Sequence, residues 1–123
     1  MTNTTKIGRD AESYVAGQLA LQGYQVIARN QRTRFYEIDI IAVKQQQLRF
    51  IEVKYRKFSG SGDGLEAITQ TKIKRLTRAI TSWLAEHQEY TDYEISLDVA
   101  AVSSTGGGYS LQYIENITSL LSS

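Results

Sequence analysis

Four ionisable residues stand at strand spacing within a short stretch of the chain. Glu37 and Asp39 lie in residues 35–43 (FYEIDIIAV), and Glu52 and Lys54 in residues 48–54 (LRFIEVK). Both segments are rich in β-branched and aromatic residues, and Lys44, Gln45, Gln46 and Gln47 between them form a connection of hairpin length. Successive strand residues point to opposite faces. Phe35, Glu37, Asp39, Ile41 and Val43 are therefore expected to share one face, and Leu48, Phe50, Glu52 and Lys54 the facing one. A turn of two or four residues sets Val43 against Leu48, Ile41 against Phe50, Asp39 against Glu52 and Glu37 against Lys54. Opposed carboxylates about 5 Å apart repel by roughly 3 kcal/mol at an effective dielectric near 20. Such a pair either holds a proton or recruits a cation. An oxygen-rich site of this kind suits Mg²⁺ or Mn²⁺, which complete their shell with water and substrate phosphate. Lys54 is then placed to serve the attacking water or to offset charge on the phosphate. The competing interpretation is a solvated face with a Glu37–Lys54 ion pair. The bare string, an Asp followed by Glu-x-Lys, arises by chance in roughly one chain in three of this size, so its position on opposed strands is what distinguishes it.

The elements that must position these residues are readable from periodicity. A helix is expected from Thr4 or Thr5, either of which can cap it, to Gln22, with Gly23 as its stop. Residues 24–28 read as a short strand and 29–34 as a polar, basic connection. After the hairpin come Gly60, Gly62 and Gly64 in a loop, then a second helix over 65–87 whose apolar stripe is Leu65, Ile68, Ile73, Leu76, Ile80, Trp83 and Leu84. Residues 94–103 and 109–114 read as two further strands joined through Thr105-Gly106-Gly107-Gly108, and the tail from Asn116 as a short helix. The order αβββαββ predicts an α/β fold, a mixed β-sheet flanked by helices.

At 123 residues the chain suits one domain, 1–123. It has no Cys and a single histidine, His87, which argues against thiolate or histidine metal clusters and against a Ser-His-Asp triad. No apolar run reaches the length of a bilayer span, and the polar start lacks a signal-peptide core, so a cytoplasmic protein is expected. The net charge of +1 conceals a polarity: residues 29–78 carry twelve Lys or Arg against five acids, whereas 79–123 carry six acids and no Lys or Arg. Such polarity suggests a basic face for a polyanion such as nucleic acid, the alternative being a solvated mixture of charges with no such clustering.

This combination resembles the restriction-endonuclease-like superfamily and its Asp…(Asp/Glu)-x-Lys motif. Within it the chain is most similar to the YraN-like (UPF0102) family, related to archaeal Holliday-junction resolvases. The resemblance spans nearly the whole chain: Gly8 and Glu12; Arg29-Asn30-x-Arg32; Glu37-Ile38-Asp39-Ile40-Ile41-Ala42; and, most specifically, Phe50-Ile51-Glu52-Val53-Lys54-Tyr55-Arg56. It continues through Lys72, Arg75, Ala79, Trp83-Leu84, Leu97-Asp98-Val99 and Tyr113-Ile114-x-Asn116. It implies a restriction-endonuclease-like fold in which Asp39, Glu52 and the Val53 carbonyl bind the metal, Lys54 is catalytic, and Glu12 of the first helix completes the acidic cluster. Three positions depart from the pattern: Ala11 and Tyr36 stand where relatives usually have Gly, and Ser96-Leu97 where an Arg-Phe pair is common.

Other residues fit this scheme. Lys72 falls within the second helix's apolar stripe, so its ammonium needs an acid or a phosphate; it is expected at the acidic cluster or the scissile phosphate, unless it merely snorkels past. Arg32, Arg34, Tyr55, Arg56, Lys57 and Arg75 are candidates for gripping nucleic acid. The stretch Gly60-Ser61-Gly62-Asp63-Gly64 lacks a full phosphate-binding pattern and reads as a loop or lid. Asp98, in an apolar strand, reads as structural. The expected function is a Mg²⁺- or Mn²⁺-dependent endonuclease acting on structured or branched DNA, with Glu37 and Lys72 supporting. Symmetric cutting of a junction implies a homodimer. The alternative is a non-catalytic nucleic-acid-binding module that keeps the fold.

Overall fold

The computed structural model describes residues 2–57 and 68–118, with side chains from Gly8 onward except those of Lys57 and Thr105. The order is α1 (Thr2–Leu21), β1 (Gln25–Arg32), β2 (Glu37–Lys44), β3 (Gln47–Lys57), α2 (Gln70–Ala85), β4 (Glu94–Thr105) and β5 (Gly108–Ile114). This is the expected αβββαββ arrangement. The five strands form one mixed sheet in the order β1-β2-β3-β4-β5, antiparallel except for the β3–β4 pair, which α2 connects as a parallel crossover.

Each face of the sheet carries one helix. Ala11, Val15 and Leu19, four residues apart, seat α1 on Ile40, Ala42, Ile51, Ala100 and Val102. Alanines on both sides of that contact let the helix approach the sheet closely. On the other face Ile73, Leu76, Ala79, Ile80 and Trp83 of α2 cover Ile38, Ile41, Leu48, Phe50, Leu97 and Val99. Phe50 meets Trp83 edge to face at 5.6 Å, an arrangement worth about 0.5–1.5 kcal/mol beyond the area buried. His87 stacks on Trp83 at 3.7 Å, with Nδ1 2.7 Å from the Trp83 carbonyl oxygen, so it closes the end of α2.

Several boundaries differ from expectation. Helix α1 starts before Thr4 and Thr5, so neither is its cap, while Gly23 ends it at φ 92° as expected. Strand β1 continues to Arg32, although 29–34 reads as a connection; its polar residues belong to an edge strand, where charged and polar side chains discourage further pairing. Helix α2 begins at Gln70, not residue 65. Thr69 is extended and its hydroxyl accepts the Lys72 N–H at 3.1 Å, which caps the helix there. Ile68 precedes the cap yet still packs on the α2-side core. The glycine loop and Leu65 lie outside the described residues.

The hairpin register is the expected one over its paired length: Val43↔Leu48, Ile41↔Phe50 and Ile40↔Ile51, around the turn Gln45-Gln46. There the ladder between the two strands ends. Asp39↔Glu52 and Glu37↔Lys54 are not paired rungs; Glu37 is instead aligned with Arg32 of β1. The alternation of β2 also breaks at Asp39. Ile38 packs on the α2 side and Ile40, two residues on, on the α1 side. Glu37, Asp39 and Ile41 therefore do not form the single face that strict alternation predicts.

Candidate metal centre at the strand fork

Beyond Ile40 and Ile51, β2 and β3 separate, and the Asp39 side chain turns toward β3. Its Oδ2 accepts the Val53 N–H at 2.8 Å, so a carboxylate takes the place of a ladder carbonyl. Opposite Asp39 on β1, between the pairs Arg29↔Ile40 and Gln31↔Ile38, Asn30 adopts φ 52°. Asn tolerates this left-handed conformation better than most residues. Its side chain favours the charged form of Glu12, which reaches the same region from α1.

Acidic groups from three elements thus act on one another at the fork. The Asp39 carboxyl is pushed up from 3.8 to about 8, first by burial and then by the charges of Glu52, Glu12 and Glu37; the Val53 N–H opposes this only in part. Burial also raises the Glu12 carboxyl, against the pull of Asn30 and Arg29. Glu12 Oε1 is buried with no hydrogen-bond partner; its nearest cation is the Arg29 guanidinium at 3.6 Å. An orphaned buried carboxylate oxygen costs about 1–3 kcal/mol or more. It is here that an oxygen-seeking cation would be accommodated.

The lysines stand on the α2 side. Glu52, 6% exposed, receives Lys72 Nζ at 3.1 Å and Lys54 Nζ at 3.8 Å on the same Oε2. Burial lowers the Lys54 ammonium's pKa, and Lys72 beside it lowers it further. For Lys72 burial acts downward too, but the Lys54 hydrogen bond and the Glu52 charge outweigh it and raise the group overall. The two adjacent ammonium groups are thereby pushed in opposite directions, Lys54 down and Lys72 up.

The fork brings Asp39, Glu52, Lys54, Glu12, Glu37 and Lys72 into mutual influence. Among the described residues, however, no three acidic, His or Cys side chains are gathered tightly enough to form a ready metal cluster. The donor set still fits Mg²⁺ or Mn²⁺ by chemistry, being carboxylate oxygens with one left unpartnered. The nucleic-acid candidates are scattered. Arg32, Arg34 and Arg75 are exposed, whereas Tyr55 is half-buried in the α1-side core, Arg56 is half-buried, and the Lys57 side chain lies outside the described residues. Sequence reasoning did not assign Arg29 and Asn30 to the site; an Asn within a polar strand edge was the available signal.

A mixed sheet with a helix on each face and a strand fork carrying Asp39 and Glu-x-Lys defines the class of this domain. The chain belongs to the uncharacterised protein family UPF0102, whose pattern matches residues 11–102. It is 36% identical over 115 residues to a UPF0102 protein of Fusobacterium nucleatum, covering 94% of this chain and 92% of that one. It is 40% identical over 101 residues to a UPF0102 protein of Nocardia farcinica, covering 82% and 79% of the two chains. A slighter likeness, TM-score 0.39 and 15% identity over 91% of this chain and 63% of the other, is to SfsA of Pyrococcus furiosus in complex with Ca²⁺. No helix among the described residues is long and apolar enough to cross a membrane.

Proposed function

We propose that this protein is a divalent-metal-dependent endonuclease that hydrolyses phosphodiester bonds in structured or branched DNA. The observation that carries this reading is the strand fork itself, where Asp39 takes the Val53 N–H at 2.8 Å, Glu52 meets Lys72 at 3.1 Å and Lys54 at 3.8 Å, and Glu12 Oε1 is buried without a hydrogen-bond donor. Mutually repelling, partly buried carboxylates cost stability, and in this chemistry a bound cation repays it. Asp39 and Glu52, with the Val53 carbonyl and Glu12 beside them, would hold Mg²⁺ or Mn²⁺. The ion would lower the pKa of a bound water and offset phosphate charge.

The chain's own groups supply the rest. The Val53 N–H fixes the orientation of Asp39 at 2.8 Å. Lys54, held 3.8 Å from Glu52, can take a proton from the attacking water because its own is weakly held. Lys72, whose ammonium is favoured by Glu52 at 3.1 Å, would stabilise the negative charge that grows on the phosphate. Glu37 and Glu12 keep the field around Asp39 negative until the ion neutralises it.

A second reading has its own support. With both lysines on Glu52 and no tight acidic cluster among the described residues, the fork would also suit a module that binds nucleic acid without cutting it. The deciding experiment offers junctions, flaps, nicked duplex and single strands to the purified protein with Mn²⁺. The nuclease reading predicts cleavage by the wild type, and retained binding but no cleavage by Asp39→Asn and Lys54→Ala. Binding with every substrate left intact would establish the non-cleaving module instead.

A further inference from the structure

Beside the fork, the turn from Thr33 to Tyr36 joins β1 to β2. It is held unusually firmly for so short a connection. The Thr33 hydroxyl accepts the N–H groups of Phe35 and Tyr36, each at 3.1 Å, and donates to the Tyr36 carbonyl at 2.8 Å. The Thr33 N–H donates to the same carbonyl at 3.1 Å. This rigid turn holds Phe35 outward at 43% exposure, although a ring of that size gains by burial. Leu21 and Ile95 are also exposed large hydrophobics among the described residues, but neither is aromatic.

Phe35 is flanked by cations. The Arg34 guanidinium lies 5.6 Å from the ring centroid and that of Arg78, from α2, lies 5.3 Å from it. Next to the turn a groove of about 240 Å³ runs between β1 and α2, lined by Arg32, Thr33, Arg34, Trp83, Glu86 and His87. An exposed aromatic ring with guanidinium groups beside it is the chemistry that receives an unstacked base: the ring supplies a π face and the cations meet the flanking phosphates. A fully paired duplex has no free base face to offer in mid-helix, so this surface distinguishes a strand with an unpaired base from an intact duplex. The turn leads directly through Tyr36 into Glu37, so Phe35 stands two residues before the start of β2.

We propose that Phe35, with Arg34 and Arg78, is a stacking platform for an unpaired nucleobase, which sets the protein's preference for substrates with single-stranded character. This rests on the nucleic-acid reading above and adds to it the structure recognised. On binding, the base replaces a guanidinium at the ring, and that arginine turns to a phosphate of the same strand.

The test is fluorescence anisotropy with two DNA probes: a fully paired duplex, and the same duplex carrying a single-stranded flap with 2-aminopurine at the branch. The wild type should prefer the flap and quench its 2-aminopurine emission. Phe35→Ala should weaken flap binding about ten-fold or more, the scale of one lost aromatic–base stack. It should abolish the quenching and leave duplex binding unchanged. Phe35→Trp should restore both, and since the ring is exposed neither variant should alter the thermal transition. Equal losses on both probes, or no loss on the flap, would overturn the platform while the nucleic-acid reading stands. A wild type that binds neither probe overturns both.

Discussion

The sheet carries two carboxylates one step apart along the strands, the buried Asp98 and the half-buried Asp39, and they are treated in opposite ways. Asp98 of β4 lies in register with Ile51 and is 0% exposed. Its two oxygens accept from Arg49 at 2.8 Å, Tyr113 Oη at 2.5 Å, the Asn116 N–H at 2.9 Å, and the Ser96 hydroxyl. Arg49 is itself held by Tyr24 at 2.7 Å, and its pairing with Asp98 raises its proton affinity against the effect of burial. Burial and the Asp98 charge together push the Tyr113 hydroxyl upward. Every charge there is matched, as a structural anchor requires. At the fork, Asp39 has the Val53 N–H as hydrogen-bond donor, three acids act on it, and Glu12 Oε1 has no hydrogen-bond partner, its nearest cation being Arg29 at 3.6 Å. A fold able to neutralise one carboxylate so fully leaves the other short of positive charge. That contrast, more than the motif string, is what supports the function proposed for the fork.

The largest expected effect falls on the anchor. Asp98→Ala removes the nearest anion from half-buried Arg49 and the shared acceptor of Tyr113, Ser96 and the Asn116 N–H, and should cost about 3–5 kcal/mol in urea denaturation. A loss under 1 kcal/mol would mean that the network contributes little.

At the fork the same kind of change should do the reverse. Asp39's folded pKa, about 8, lies above its ordinary 3.8, so between those values the folded state binds the extra proton. Its contribution to stability is therefore full below about pH 4 and is lost as pH rises through 8. Asp39→Asn should melt higher than the wild type in metal-free buffer, by a margin that widens from pH 5 to about pH 9. An Asn variant less stable at high pH would break the comparison.

A smaller effect separates the two lysines. Lys72→Ala removes the closer cation from Glu52, at 3.1 Å, and should also raise the proton affinity of Lys54 by removing its like-charged neighbour. In a cleavage assay the rising limb of the pH–rate profile should move to higher pH, whereas Lys54→Ala should remove that limb. Identical profiles for wild type and Lys72→Ala would reject the coupling.

Much of this was legible in the sequence. Period-two and helical patterns gave αβββαββ, and the apolar rungs Ile41↔Phe50 and Val43↔Leu48 fixed the hairpin register. Asp98, a lone acid in an apolar strand, read as structural for the reason its partners now make plain. What escaped was geometry that no periodicity encodes. Alternation assigns a residue to one face or the other, and Asp39 breaks the pattern by filling the gap between strands, opposite an Asn30 with positive φ. The second half of the edge strand β1, residues 29–32, escaped as well, because solvent-facing edges need no apolar alternation. The start of α2 was set by the cap at Thr69, which the apolar residues Leu65 and Ile68 obscured.

The fork, and not the anchor, is proposed to recruit a divalent cation. Isothermal titration of the metal-free protein with Mn²⁺ tests it most directly, at a pH near 8 where Asp39 sheds its proton. The account predicts saturable binding by the wild type, loss of that binding in Asp39→Asn and in Glu52→Gln, and a thermal transition raised by Mn²⁺ in the wild type alone. Binding that survives both substitutions, or no binding by the wild type, would contradict it.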